Sequence, residues 1–253
     1  MRTLLVIAGL DPSGGAGLLA DARVAAEHGV RAVGVATALT VQDTAGVRAA
    51  NPVAADVIAD QLAALLADVE VDAVKIGMLG DAALAPILAR ALAATAAPIV
   101  WDPVLLPSRG GVSLLAGDVA AAAAALLPEV RVVTPNLAEA AALTGLTIET
   151  LDDVRAAAAA LRRAGAAAVL IKGGHLPGDP IDLLHDGDDV RTFAGPRIAA
   201  APLHGTGCVL SSALACALAG GATLAAAVGA AKAYLSIKLA APLAPGRGAR
   251  VLV

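Results

Sequence analysis

Six short, mostly apolar runs recur along the chain: Leu4–Ala8, Val33–Leu39, Ala73–Ile76, Pro98–Trp101, Arg131–Val133 and Ala168–Ile171. Each gives way to a polar or glycine-containing cluster before helical sequence resumes. Runs this short and unbroken suit strands buried on both faces, and such strands belong to parallel sheets. Their alternation with helices, from Leu18–Glu27 to a closing Leu224–Leu239, predicts an α/β fold with helices on both faces of a mostly parallel sheet. Between them, Ile58, Leu62, Leu65 and Val69 form one stripe of an amphipathic helix. Ile181–Leu184 and Val190–Phe193 flank Asp186-Gly187-Asp188-Asp189 and predict one antiparallel hairpin late in the chain. In such folds ligands bind outside the carboxyl ends of the strands, so the polar clusters are themselves the functional signal.

Composition removes several classes of function. Trp101, Phe193 and Tyr234 are the whole aromatic set and the formal net charge is −4. Neither suits base stacking or binding of a phosphate backbone, so no nucleic-acid partner is expected. The first residues lack a basic region followed by a long apolar run, and charge or proline interrupts the alanine-rich stretches before membrane-span length. A soluble cytoplasmic protein without a membrane partner is the expectation. Cys208 and Cys216 share one predicted helix, about 12 Å apart along its axis, beyond disulfide reach. Neither has a zinc-ligand spacing with histidine.

The clusters differ in what chemistry they can hold. Gly9-Leu10-Asp11-Pro12-Ser13-Gly14-Gly15-Ala16-Gly17 is a glycine-rich turn into a helix, without a clean dinucleotide fingerprint or a Walker-type lysine loop. Asp21, one turn into that helix, faces inward or solvent on this evidence alone. Thr40-Val41-Gln42-Asp43-Thr44 ends the second run, Gly77-Met78 follows the third, and Asp102-Pro103-Val104 ends the fourth. Asp102 suits metal or phosphate work, or a helix cap. Leu106–Gly111 is a segment long enough to cover a site. Asn136 and Glu139 have capping-box spacing, which serves a helix start whether or not it serves a ligand. Lys172-Gly173-Gly174-His175 puts an ammonium beside two glycines. His204-Gly205-Thr206-Gly207-Cys208 runs straight into an Ala/Leu-rich helix, where flexible backbone and unpaired N–H groups make an anion cradle. Cys208 at such a helix start is expected to have a lowered thiol pKa.

Taken together, these motifs resemble the hydroxymethylpyrimidine/phosphomethylpyrimidine kinases of thiamine biosynthesis, in the ribokinase-like superfamily, over nearly the whole length. The resemblance implies a single ribokinase-like domain over residues 1–253. It implies ATP-dependent phosphorylation of 4-amino-5-hydroxymethyl-2-methylpyrimidine and then of its monophosphate, with Mg2+ as cofactor and a homodimeric state. Gly9, Asp21, Gln42, Met78 and Val104 would line the pyrimidine pocket. Gly205, Thr206 and Gly207 would cradle the transferring phosphate, with Cys208 next to the substrate hydroxyl as catalytic residue. Asn136 and Lys172 would contact the nucleotide phosphates, while Glu139 and Asp102 would serve Mg2+.

Some positions depart from the family pattern. Asp43 stands where asparagine is usual, and is expected to place an extra carboxylate near the pocket. Pro202 and Leu203 replace polar residues before the cradle, Leu105 continues Asp102-Pro103-Val104, and the tail is reduced to Arg247-Gly248-Ala249-Arg250. A pyridoxine/pyridoxal kinase of the same superfamily is the nearest alternative. Related pyridoxal kinases place a second cysteine in the lid, and Leu106–Gly111 has none. A non-catalytic pyrimidine-binding protein is the alternative of a different class, against which Lys172, Glu139 and Cys208 speak.

Overall fold

In the computed structural model, which describes residues 1–106, 112–174, 176, 178–198 and 203–253, nine strands form one sheet. The Leu106–Gly111 segment beyond Leu106, expected to cover the site, lies outside the described residues, as do His175 and Pro202. In chain order the elements are β1 (Thr3–Leu10), α1 (Gly17–Glu27), β2 (Arg31–Asp43), β3 (Gly46–Pro52), α2 (Ala55–Asp68), β4 (Ala73–Ile76) and β5 (Gly80–Asp81). Next come α3 (Ala85–Leu92), β6 (Ile99–Trp101), β7 (Leu115–Ala116), α4 (Val119–Leu126), β8 (Val132–Val133), α5 (Leu137–Thr144) and α6 (Leu151–Arg163). The last are β9 (Ala168–Ile171), β10 (Ile181–Asp186), β11 (Asp189–Ala194), β12 (Leu203–His204), α7 (Thr206–Ala219), α8 (Leu224–Ala240) and β13 (Arg250–Val251).

The large sheet runs β11-β10-β9-β8-β6-β4-β1-β2-β3. From β9 to β2 its pairings are parallel, and β4, β8 and β9 are buried along their whole length, as is β1 up to Gly9. Alternation within β1 splits the core as a pleated strand must. Leu5 and Ile7 join Ile58, Leu62, Leu88, Val154 and Leu161 from α2, α3 and α6 on one face. Leu4 and Val6 join Val24, Val209, Leu214 and Val228 from α1, α7 and α8 on the other. Among the described residues no helix is long and apolar enough to cross a membrane.

The late hairpin forms as expected, β10 pairing antiparallel with both β9 and β11. A second hairpin was not expected. β2 does not stop at Leu39 but continues through Asp43 and returns as β3, so Thr40–Asp43 is strand and not loop. Along it Ala38, Thr40 and Gln42 face inward, while Leu39, Val41 and Asp43 are exposed. Asp43 therefore does not enter the pocket: its carboxylate accepts from Ala45 N–H at 2.8 Å and pairs with Arg48 at 3.0 Å on the surface. The tail is also more than a remnant, because β13 pairs in parallel with β12 immediately before the cradle loop.

Between β1 and its neighbours the chain order reverses, from β2 on one side to β4 on the other. That reversal opens a crevice at the strand carboxyl ends. Gly9, Gly77, Asp102, Thr134 and Lys172 follow or end β1, β4, β6, β8 and β9, so all five stand on this edge of the sheet.

Candidate active site

Lys172 lies at the centre of the polar residues. Its Nζ is 2.6 Å from Asp102 Oδ1 and 3.8 Å from Glu139 Oε2. Asp102 is buried at the end of β6 and also accepts from Thr134 Oγ1 at 3.3 Å and Ser211 Oγ at 3.2 Å. Burial opposes its ionisation, but Lys172, Lys75 and the Ser211 hydroxyl outweigh that and hold its carboxyl below the usual range. Glu139 is less well compensated. Burial pushes it up to about 7, Lys172 pulling it down and Asp102 pushing it further up. Two buried carboxylates thus share one ammonium.

Asn136 and Glu139 do form the capping box: Asn136 Oδ1 accepts from Glu139 N–H at 2.9 Å, and Glu139 Oε2 accepts from Asn136 N–H at 2.7 Å. The box fixes Glu139 against Lys172, so the cap and the site are one construction. Backbone pairing of Asn136 with Lys172 brings the ends of β8 and β9 together. The donor set suits a hard cation such as Mg2+, which takes one or two carboxylates and completes its shell with water and substrate phosphate. Oε2 of Glu139 is committed to the cap, which leaves Oε1 for a cation, and a dication would relieve the charge imbalance of the pair.

The cradle closes over this group. Gly205 caps α7 with φ of 82°, and no side chain caps the helix, so its first N–H groups stay available to an anion. A Cβ on Gly207 would lie 3.1 Å from Lys172 Nζ and 3.4 Å from Asp102 Oδ2, which sets Gly207 directly against the ion pair. A Cβ on Gly205 would lie 1.9 Å from the carbonyl oxygen of Gly15, so the two glycine loops touch backbone to backbone. Gly205→Ala is expected to cost about 1–3 kcal/mol for the left-handed conformation alone. It should also displace the cradle and lower turnover; urea unfolding and kcat together check this.

Gly9 and Met78 meet on the other side of the crevice, a Cβ on Gly9 lying 2.8 Å from Met78 Sδ. Met78 packs with Ala38, Val47 and Leu114, and Val104 joins them. Gln42 faces the same way as Ala38 along β2, and its Nε2 is 2.8 Å from His204 Nε2. Gly9, Met78 and Val104 therefore lie together, and Gln42, further along the same face of β2, is bonded to the residue that precedes the cradle. Asp21, expected on the same wall, is fully buried. Its Oδ2 accepts from Lys75 Nζ at 2.6 Å and its Oδ1 from Ser212 Oγ at 2.7 Å.

A family pattern described as phosphomethylpyrimidine kinase matches residues 11–252. The chain belongs to the phosphomethylpyrimidine kinase family. It is 41% identical over 247 residues to the hydroxymethylpyrimidine/phosphomethylpyrimidine kinase of Streptomyces coelicolor, covering 97% of this chain and 92% of that one. The phosphomethylpyrimidine kinase of Clostridium difficile 630 is similar in structure, with a TM-score of 0.82, 32% identity, and coverage of 94% of this chain and 99% of that one. The pyridoxal kinase of Staphylococcus aureus, in complex with AMP-PCP, reaches a TM-score of 0.90 at 31% identity, covering 99% and 92%. As a member of the family the chain is a phosphotransferase with the ribokinase-like fold.

Two features of this kinase differ from what sequence alone suggests. Cys208 is not a low-pKa thiol. Burial pushes it up to about 11, Lys75 pulls it down, and Asp21 and Asp102 push it back up. The helix-start argument omits this burial and the two carboxylates. Lys75, not among the expected site residues, is the second finding. It is fully buried, and burial opposes its charge, yet Asp21, Cys208 and Asp102 hold it as an ammonium. A charged residue inside the four-residue strand Ala73–Ile76 was the available signal. A cleft of about 1010 Å³ at the opposite end of β1, lined by Met1, Arg2, Arg31 and Asp72 among others, contains none of these groups.

Proposed function

We propose that the chain transfers the γ-phosphoryl group of ATP to the hydroxymethyl oxygen of 4-amino-5-hydroxymethyl-2-methylpyrimidine, and then phosphorylates that monophosphate to the diphosphate. The observation that carries this is the cradle at Gly205–Cys208, with Gly207 against the Lys172–Asp102 pair and Gly205 against the glycine-rich loop at Gly15. Phosphoryl transfer needs positioning and charge neutralisation more than covalent chemistry, and this arrangement supplies both. The N–H groups opening α7 and the Lys172 ammonium hold the transferring phosphoryl oxygens, with Asn136 on the nucleotide side. Asp102 and Glu139 hold Mg2+, which when bound neutralises charge on the nucleotide phosphates. Gly9, Gln42, Met78 and Val104 receive the pyrimidine. We place the enzyme in the cytoplasm as a homodimer.

Cys208 accepts the proton of the substrate hydroxyl in this reading. Its thiol is pushed up to about 11, so only a small fraction is thiolate at neutral pH. A base must be deprotonated to act, so kcat is expected to rise with pH up to the thiol's pKa, by up to about tenfold per unit. Cys208→Asp, whose intrinsic carboxyl pKa of about 4 lies far below that of a thiol, should flatten that rise. A pH–rate profile of the wild type without this slope, or Cys208→Ala at wild-type rate, would remove the base role and leave catalysis to the amides and Lys172.

Pyridoxal phosphorylation is a second reading, favoured by the backbone likeness to the pyridoxal kinase. Against it stands the absence of cysteine in residues 106–111. ATP consumption measured with hydroxymethylpyrimidine, its monophosphate and pyridoxal separates the two. The higher kcat/KM is expected for the pyrimidines, and consumption driven by pyridoxal alone would reverse the assignment.

A further inference from the structure

Gln42 is not free in the crevice, and what holds it reaches to the end of the chain. His204 Nε2 lies 2.8 Å from Gln42 Nε2 and 2.9 Å from Asp11 Oδ2. We infer that His204 is a positioning residue, anchored by Asp11 and braced by the C-terminal strand, which fixes the side-chain amide of Gln42 and so the polar edge offered to the substrate. This rests on the proposed role of Gln42 in the pyrimidine pocket.

A ring nitrogen has one place for either a hydrogen or a lone pair, so it cannot donate to one neighbour and accept from another at once. Asp11 settles which it does. Its Oδ1 accepts from the N–H and O–H of Ser13 at 2.8 and 2.7 Å, and its Oδ2 from the N–H groups of Gly15 and Ala16 at 3.1 and 3.0 Å. A carboxylate engaged in this way accepts only, so His204 Nε2 carries the hydrogen and donates it to Asp11. An amide nitrogen facing the same hydrogen would oppose donor to donor. A half-turn of the Gln42 amide brings Oε1 to the ring instead, and the two ends are so alike in shape that hydrogen bonding decides between them. The –NH2 group is then the end left for the substrate, and it suits an acceptor on a heteroaromatic ring.

The imidazole itself cannot easily move. A Cβ on Gly15 would lie 2.6 Å from His204 Cδ2 and 2.6 Å from Val251 Cγ1, so the ring and Val251 both pack on bare backbone. His204 pairs with Val251 between β12 and β13. The same tail reaches the turn just beyond Gln42, where Gly248 N–H donates to Thr44 Oγ1 at 3.0 Å and Ala249 N–H to Thr44 O at 2.7 Å. One segment thus ties the strand carrying His204 to the ribbon carrying Gln42.

The test is a double-mutant cycle on the full-length kinase with His204→Phe and Gln42→Leu, with His204→Asn run in parallel should the phenylalanine variant not fold. Each single variant is expected to raise the KM for hydroxymethylpyrimidine by about tenfold. The KM for ATP and kcat should stay within about two- to threefold. The double variant should be no worse than Gln42→Leu alone, because both changes remove one function. Effects that multiply in the double variant, or a His204 variant that changes kcat and the ATP KM as much as the pyrimidine KM, would overturn the inference. Absence of wild-type turnover with the pyrimidine would overturn the proposed function, and this inference with it.

Discussion

Lys172→Met is expected to lower kcat by about 10²–10³-fold, the loss seen when one donor to a developing transition-state charge is removed. Lys172 is shared by Asp102 and Glu139, at 2.6 and 3.8 Å, and it stands against the Gly207 end of the cradle. Its removal takes positive charge from where the transferring phosphoryl group would sit, and leaves two carboxylates to repel that group. The effect should fall on kcat more than on the pyrimidine KM, since the proposed pyrimidine contacts are Gly9, Gln42, Met78 and Val104 rather than Lys172. Steady-state kinetics well below the melting temperature check it. A variant with kcat within about threefold of wild type would place the phosphoryl group elsewhere.

Lys75→Met is expected to destabilise the fold by about 3–5 kcal/mol, because it strands the Asp21 carboxylate in the interior. Both side chains are fully buried, 2.6 Å apart, and among the described residues Ser212 would remain to satisfy Asp21. Adding Asp21→Leu should recover much of the loss, since an apolar pair of similar volume is often as stable as a buried ion pair. Urea unfolding of the two single variants and the double variant measures this. A single-variant loss below about 1 kcal/mol would mean that water reaches Asp21.

The parallel half of the sheet was legible because strands such as Leu4–Ala8 and Ala168–Ile171 have no polar face to disguise them. The strand-end positions of Asp102 and Lys172 and the capping box of Asn136 and Glu139 followed from the same logic. The ribbon of β2 and β3 was not legible. Leu39 and Val41 are apolar yet exposed, and the turn at Thr44-Ala45 lacks the Asn-Gly type of signal that marks a tight hairpin. Asp21 and Lys75 escaped for a different reason. Each is a charge whose partner is distant in sequence, so only the fold pairs them. The thiol of Cys208 was misjudged because a helix terminus is a local property, whereas burial and the nearby Asp21 and Asp102 come from three separate elements.

Phosphorus NMR of the reaction mixture tests the central claim most directly. With hydroxymethylpyrimidine, ATP and Mg2+, a phosphomonoester resonance should grow first and then give way to a diphosphate pair as ADP accumulates. Consumption of ATP without any phosphopyrimidine, or a product formed only when pyridoxal is supplied, would contradict the account.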